Sequence, residues 1–189
     1  MKKLINPFVY LAGEKTIIIG LIILILSALF SWQLGTTCRG IVSTGYAELP
    51  LWKCFVQQLI IWCVFGSLLY LTARLLSKSK IRAIDIYGNN LFARLPFLLL
   101  VLLSALPAVR SFTLAALTQT GAEMATMGIS PAVLIFSVAA LIALVWFFAW
   151  SYMGFAVAAN LRGARAAGAF IGCYLLAEVL SAQLWKLFA

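Results

Sequence analysis

Five long apolar runs constrain this chain more than any other feature of its sequence. A helix needs about 20 predominantly apolar residues to cross the hydrocarbon core of a bilayer. The runs occupy residues 16–34, 55–76, 95–117, 131–158 and 166–188. With 65% hydrophobic and 10% charged residues, the chain has too little polar surface for a water-soluble fold. The sequence therefore predicts a single all-α integral membrane domain, residues 1–189, with five transmembrane helices.

The basic residues are distributed unevenly among the segments between these runs. Lysine and arginine in short loops favour the cytoplasmic side of a membrane. Most of them lie in the amino-terminal segment, the second connection and the fourth connection, which would share one side of the membrane. The residues are Lys2, Lys3, Lys15, Arg74, Lys78, Lys80, Arg82, Arg94, Arg162 and Arg165. We therefore expect a cytoplasmic amino terminus, an external carboxyl terminus and a multi-pass location in the inner (plasma) membrane. The net charge of +9 arises mostly from these flanking residues, so no nucleic-acid partner is expected.

The connection between the second and third runs is the richest polar part of the chain. Its sequence, SKIRAIDIYGNNLFARLP in residues 79–96, interleaves apolar side chains with charged and amide side chains. The spacing of the apolar residues predicts a short interfacial segment before the third span, and Gly-Asn-Asn predicts a turn. We expect a polar surface on the cytoplasmic side, formed by Asp85, Asn89, Asn90, Asn160 and Arg162. This surface would either anchor the connections or bind a cytoplasmic or membrane protein partner.

Glu178 is the acidic residue that lies inside a predicted span. An ionised carboxyl group at that depth costs at least about 2.5 kcal/mol. Arg110, inside the predicted third span, lies within about 6 Å of Glu178 along the membrane axis, so the two side chains would form an ion pair if their helices are neighbours. Two alternatives remain open. Glu178 is protonated and hydrogen-bonded to a neighbouring helix, or it is a proton- or ion-coupling site.

Several residue types that intramembrane catalysis needs are missing. The chain has no histidine, and Asp85 is its single aspartate. This composition disfavours Ser/His dyads, paired-aspartate proteases and clustered metal ligands. We expect no enzyme, no cofactor and no metal site. Cys38 and Cys54 lie near the two ends of the first connection, where a disulfide would form in an oxidising compartment.

Small residues recur at helical spacing in the last run. Gly168 and Gly172 form a GxxxG sequence, which lets two helix backbones approach closely in a membrane. Two uses of this stripe remain open: packing within the monomer, or a homo-oligomer interface.

Two stretches of the chain resemble the Yip family, the Ypt/Rab-interacting membrane proteins, in its small bacterial branch. One is YGNNLFARLP in residues 87–96, and the other is AANLRGAR in residues 158–165, followed by the last span with Glu178. The resemblance implies five spans with the termini on opposite sides. In eukaryotes the family is implied to bind small GTPases, but this chain lacks the long cytosolic amino-terminal region of those members. For the bacterial branch the resemblance implies a membrane domain without a settled activity.

Two functions follow as expectations from these patterns. The first is a non-enzymatic scaffold, or organiser of membrane partners, embedded in the lipid bilayer. The alternative is a small transporter or channel-like protein that uses Glu178. Transport sites normally gather several polar groups around a cavity, and the centres of the first, second and fourth spans offer few of them.

Overall fold

Helices make up most of the structure, a computed structural model that describes residues 6–11, 13–118 and 130–188. Five helices among these residues are long and apolar enough to cross a membrane, as predicted. In chain order the α-helices are α1 Glu14–Leu34, α2 Leu51–Leu76, α3 Ala83–Phe92, α4 Leu95–Leu103, α5 Pro107–Thr118, α6 Pro131–Ala159 and α7 Gly163–Lys186. A 3-10 turn, Pro7–Val9, precedes α1, and two short strands, β1 Thr36–Cys38 and β2 Thr44–Tyr46, join α1 to α2.

The third span begins and ends earlier than the sequence indicated. It runs over Ala83–Leu103, as α3 followed by α4, instead of over 95–117. The predicted interfacial segment is therefore the first half of a span, and the predicted Gly-Asn-Asn turn lies within helix α3. The remainder, α5, is a separate helix that begins at Pro107. Residues 114–130 carry glycines with Thr, Gln and Glu, a pattern that predicts a loop or a short interfacial helix. Residues 114–118 belong to α5, and 119–129 lie outside the described residues.

The reason for this difference is that the third span lies at the centre of the bundle. In an 18-residue stretch of this span 67% of the residues are buried, against 17–33% in the corresponding stretches of the other four spans. Its polar residues are therefore surrounded by neighbouring helices, so the span needs no continuous apolar surface toward lipid. Helix α3 packs against α1, α2 and α6, and α4 packs against α1 and α6. Helix α7 lies against α2 on the other side of the bundle.

Two glycines allow α1 and α3 to pack in close contact. A Cβ atom built on Gly20 of α1 would lie 2.8 Å from Leu91 Cβ, and one built on Gly88 of α3 would lie 2.6 Å from Thr16 Oγ1. Real Cβ atoms essentially never come this close to another heavy atom. Gly88 therefore serves helix packing, although its sequence context suggested a turn.

The β-hairpin between α1 and α2 folds back between the helices. Helix α1 ends at Gly35, which adopts a left-handed conformation, and β1 then pairs with β2 in antiparallel register, with Thr36 opposite Tyr46. All three residues of β1 are buried, and Ile41 in the turn is only 1% exposed. We call this hairpin, residues 36–46, the plug. Its end of the bundle is called the plug end.

Candidate functional site

Glu178 joins the last helix to the plug. The Glu178 Oε2 atom accepts a hydrogen bond of 2.6 Å from the Ile41 N–H and one of 3.2 Å from the Val42 N–H. A Cβ atom on Gly40 would overlap the Glu178 carboxyl group, so glycine is needed where the turn crosses α7. Because two backbone donors face one carboxylate, the negative charge is compensated by hydrogen bonds and the plug is tied to α7.

The depth of this contact indicates that the plug enters the bundle. Glu178 lies eight residues before the last residue of α7, which corresponds to about 12 Å along the helix. Non-helical backbone at membrane depth requires partners within the protein, because lipid offers no hydrogen bonds. Glu178 supplies such partners for the tip of the plug.

The expected ion pair between Glu178 and Arg110 is not present among the described residues. Arg110 lies on α5, beyond the third span, with a guanidinium nitrogen 3.7 Å from the Cβ position of Gly35. The one salt bridge within residues 6–11, 13–118 and 130–188 joins Arg82 to Asp85. The prediction was wrong because it assumed one continuous helix over 95–117, which would have carried Arg110 to the depth of Glu178.

Arg94 is the basic residue that lies inside the bundle. Its sequence position predicts a loop charge, but it occupies the junction of α3 and α4 and is 6% exposed. Its guanidinium carbon lies 5.9 Å from the centre of the Phe97 ring. Its charge interacts with that of Glu178 at longer range, although no ion pair within 4.0 Å joins the two. The half-buried Glu178 and the buried Arg94 are thus the charged side chains that lie beside the plug inside the bundle.

Two adjacent glutamines of α2 hold the first strand of the plug. Gln57 donates to Thr37 Oγ1 at 2.6 Å and accepts from the Cys38 N–H at 3.3 Å. Gln58 Nε2 lies 3.6 Å from Cys38 Sγ, to which it donates. The sequence analysis missed both glutamines, although two neighbouring amides inside an apolar run are a detectable signal. They supply β1 with the hydrogen bonds that lipid would not.

Cys38 and Cys54 are both buried as free thiols. Burial raises the pKa of the Cys38 thiol, and the opposing effects of Arg94 and of the Gln58 hydrogen bond are smaller. Cys38 is therefore protonated at neutral pH and acts as a packing and hydrogen-bonding group in the plug.

The five residues expected to share one cytoplasmic polar surface are divided between the interior and the surface. Asn89 and Asn90 are 3% and 4% exposed, so they belong to the core of the bundle. Asn89 Nδ2 donates to the Gly154 carbonyl at 3.1 Å, which ties α3 to α6. Sequence reasoning placed both asparagines at the surface because it assigned their segment to the interface instead of to a span.

The other three residues lie at the end of the bundle opposite the plug. Asp85 Oδ2 is 3.8 Å from Arg82 Nε, the pairing expected from their spacing. Asn160 ends α6 in a left-handed conformation, and its Nδ2 donates to Ser79 Oγ at 3.0 Å. Arg162 is exposed beside it. The connections before α3 and after α6 therefore meet at this end, through Asn160 and Ser79.

Within the part of the chain that the structure describes, no three histidine, cysteine or acidic side chains come together as a possible metal site. The polar side chains that contact the plug or line the cavity beside it include amides, hydroxyls, the Glu178 carboxylate and the Arg94 guanidinium. This set suits hydrogen bonding and ion recognition.

Comparison with protein-family models, with curated proteins and with solved structures found no match to the chain.

Proposed function

We propose that this protein is a non-enzymatic, multi-pass scaffold of the bacterial inner membrane that associates with membrane partners through the outer face of α7. The proposal rests on one observation. Cβ atoms built on Gly168 and Gly172 would meet nothing within 4 Å. The glycine stripe of α7 is therefore not used in packing within the described part of the chain.

A glycine stripe exposed to lipid is unfavourable unless another helix covers it. Glycine is the weakest ordinary helix former after proline, and it offers lipid chains little contact area. Ile171 and Leu175, beside the stripe, are 55% and 58% exposed, so apolar contacts flank the glycines. A second helix that packs on this face gains close backbone approach at the glycines and side-chain contacts around them. A second copy of this chain is the partner we propose.

The orientation predicted from the sequence is part of this proposal. With the span bounds of the structure, Arg94 leaves the cytoplasmic loop and Arg110 joins the plug end, and the excess of positive charge still lies opposite the plug. The plug end would face outward. The opposite end would present Arg82, Asp85, Asn160 and Arg162 to the cytoplasm. The resemblance to the Yip family agrees with this arrangement and stays a prediction.

The oligomeric state tests the proposed face of α7. We expect the wild-type protein in nanodiscs or mild detergent to give crosslinked dimers, and Gly168→Ile to reduce their yield at least about tenfold by blocking backbone approach. Ser137→Ile, on an exposed face of α6, is the matched control and should dimerise like wild type. Equal dimer yields for Gly168→Ile and wild type would contradict the proposal.

Transport with Glu178 as a proton or ion site is the competing function, and the same preparation tests it. The two backbone hydrogen bonds to Glu178 favour a structural role for its carboxylate. We expect proteoliposomes to show no proton or ion flux above that of empty liposomes. A flux that Glu178→Gln abolishes would favour transport over the scaffold.

A further inference from the structure

A cavity of about 110 Å³ lies between the plug and the helices around it. One wall is formed by the plug and by Gln58 of α2, and carries hydroxyl and amide groups. The helices contribute apolar side chains to the lining, namely Phe97, Leu100, Val101 and Phe136, together with Ser27, Ser104 and Thr113. A single water needs roughly 15 Å³ measured in this way, so the cavity has room for a group of several non-hydrogen atoms.

Arg94 lines this cavity, and its guanidinium has no hydrogen-bond or ion-pair partner in the part of the chain that the structure describes. Arg94 is only 6% exposed. The face of Phe97 and the more distant carboxylate of Glu178 stabilise its charge only in part. Glu178 itself is already engaged by Ile41 and Val42. A buried cation without a close counter-charge is costly, and an anion in the cavity would remove that cost.

A second group in the same cavity also lacks a partner. The Thr36 Oγ1 atom is buried and makes no hydrogen bond, although hydroxyl groups buried in a protein nearly always make one. Thr36 is held in place by β1, at the polar wall. The cavity thus offers a guanidinium together with aromatic and aliphatic side chains. The Thr36 hydroxyl lies in the wall with almost no accessible surface, and it would donate to a bound group after rotation about its χ1 bond.

We propose that this cavity is a binding site for a small organic anion, namely a carboxylate carried on an apolar chain. The guanidinium would bind the carboxylate, with its planar donor fork well suited to two parallel hydrogen bonds. Thr36 would donate to the same group, and the apolar side chains would cover the chain. The carboxylate reaches the site either from water, as a short-chain acid, or from the bilayer, as a fatty acid.

The test measures binding to the purified full-length protein in nanodiscs of zwitterionic lipid. Equilibrium dialysis with radiolabelled hexanoate represents the aqueous source. Radiolabelled palmitate incorporated in the bilayer represents the lipid source, and only its carboxyl end would occupy the cavity. We expect about one bound carboxylate per chain from at least one source. Unlabelled hexanoate should compete for the aqueous site, whereas hexanol and hexylamine should not, because they lack the anionic group.

Variants of Arg94 separate binding from a purely structural role. Arg94→Met keeps the length of the side chain and removes the charge, so we expect at least about tenfold weaker carboxylate binding. Its melting temperature without ligand should equal or exceed that of wild type, because the unpaired buried charge is gone. Arg110→Met, which removes an exposed arginine, is the matched control and should bind as wild type.

A second variant makes the test independent of how Arg94→Met folds. Thr36→Val keeps the shape of the side chain and removes the unpartnered hydroxyl, so we expect about threefold to tenfold weaker binding with an unchanged fold. Failure of both carboxylates to bind the wild-type protein would overturn the proposal. Wild-type affinity in Arg94→Met or in Thr36→Val would also overturn it, provided that circular dichroism shows the variant to be folded.

Discussion

The carboxylate of Glu178 accepts a hydrogen bond of 2.6 Å from the backbone N–H of Ile41, 137 residues earlier in the chain. This contact closes the bundle between its last helix and its first connection. It also explains why an acidic residue lies inside an apolar helix: the carboxylate satisfies backbone donors of a plug that lipid would leave without partners.

The first prediction concerns the charge of Glu178. Glu178→Gln replaces charge-assisted hydrogen bonds with neutral ones, so we expect a loss of stability of about 1–2 kcal/mol, seen as a lower melting temperature in detergent. Glu48→Gln, an exposed acidic residue in the same connection, is the matched control and should melt as wild type. Equal melting temperatures for the two variants would show that Glu178 is neutral or dispensable in the fold.

The second prediction concerns Arg110. The structure has no ion pair between Arg110 and Glu178, so Arg110→Gln should lower stability little, and its effect should add to that of Glu178→Gln within about 0.5 kcal/mol. A double-mutant cycle of melting temperatures measures this. A coupling energy well above that value would indicate that Arg110 and Glu178 do form the ion pair suggested by the sequence.

The third prediction concerns the crossing of the plug over α7. Gly40→Ala places a methyl group into the Glu178 carboxyl group, so we expect the plug to shift and stability to fall by about 1–3 kcal/mol. Gly45→Ala lies in the same plug, but its new methyl group would meet Thr37 Cγ2 at an ordinary 3.6 Å. A Gly40→Ala protein as stable as Gly45→Ala would argue against the contact.

The fourth prediction concerns the packing of α1 on the central span. Gly20→Ala brings a Cβ atom to 2.8 Å from Leu91 Cβ, so the helices must separate, at a cost of about 1–3 kcal/mol. Gly168→Ala changes an open position, so the stability of the monomer, derived from its melting curve, should stay within about 0.5 kcal/mol of wild type. If both variants melt alike, α1 and α3 are not in close contact.

The fifth prediction concerns the reactivity of Cys38. Because burial raises its pKa, the reactive thiolate is scarcer at pH 7 than in an ordinary cysteine, whose pKa is about 8.5. With the other three cysteines replaced by alanine, Cys38 should react with a maleimide far more slowly than Glu48→Cys, an exposed position of the same connection outside the plug. Mass spectrometry over time measures both rates. Equal rates would mean that β1 is not buried.

Apolar length was sufficient to predict four of the spans, because a bilayer sets the length of any helix that crosses it. The third span was misplaced because its first half is rich in polar residues. Asn89 is acceptable at membrane depth because Gly154 of a neighbouring helix accepts its hydrogen bond. Such a partner is fixed by tertiary packing and leaves no mark in the local sequence.

The same reason explains what was missed at the plug. Glu178 was correctly singled out as a residue that needs a partner, but its partners are backbone N–H groups, which every residue except proline carries. Arg110, the basic residue of a predicted span, was therefore the partner that the sequence predicted. Gln57 and Gln58 could have been identified, since adjacent amides in an apolar run need a reason. Arg94 could not, because its position depends on where the third span begins.

Hydrogen exchange at the amides of Ile41 and Val42 tests the central contact most directly. In the wild-type protein in nanodiscs we predict strong protection of both amides. In Glu178→Gln we predict protection lowered about 5- to 30-fold, the equivalent of the expected loss of about 1–2 kcal/mol, while the amides of α2 stay protected. Exchange of both wild-type amides at the rate of an open loop would contradict the account, as would protection that Glu178→Gln leaves unchanged.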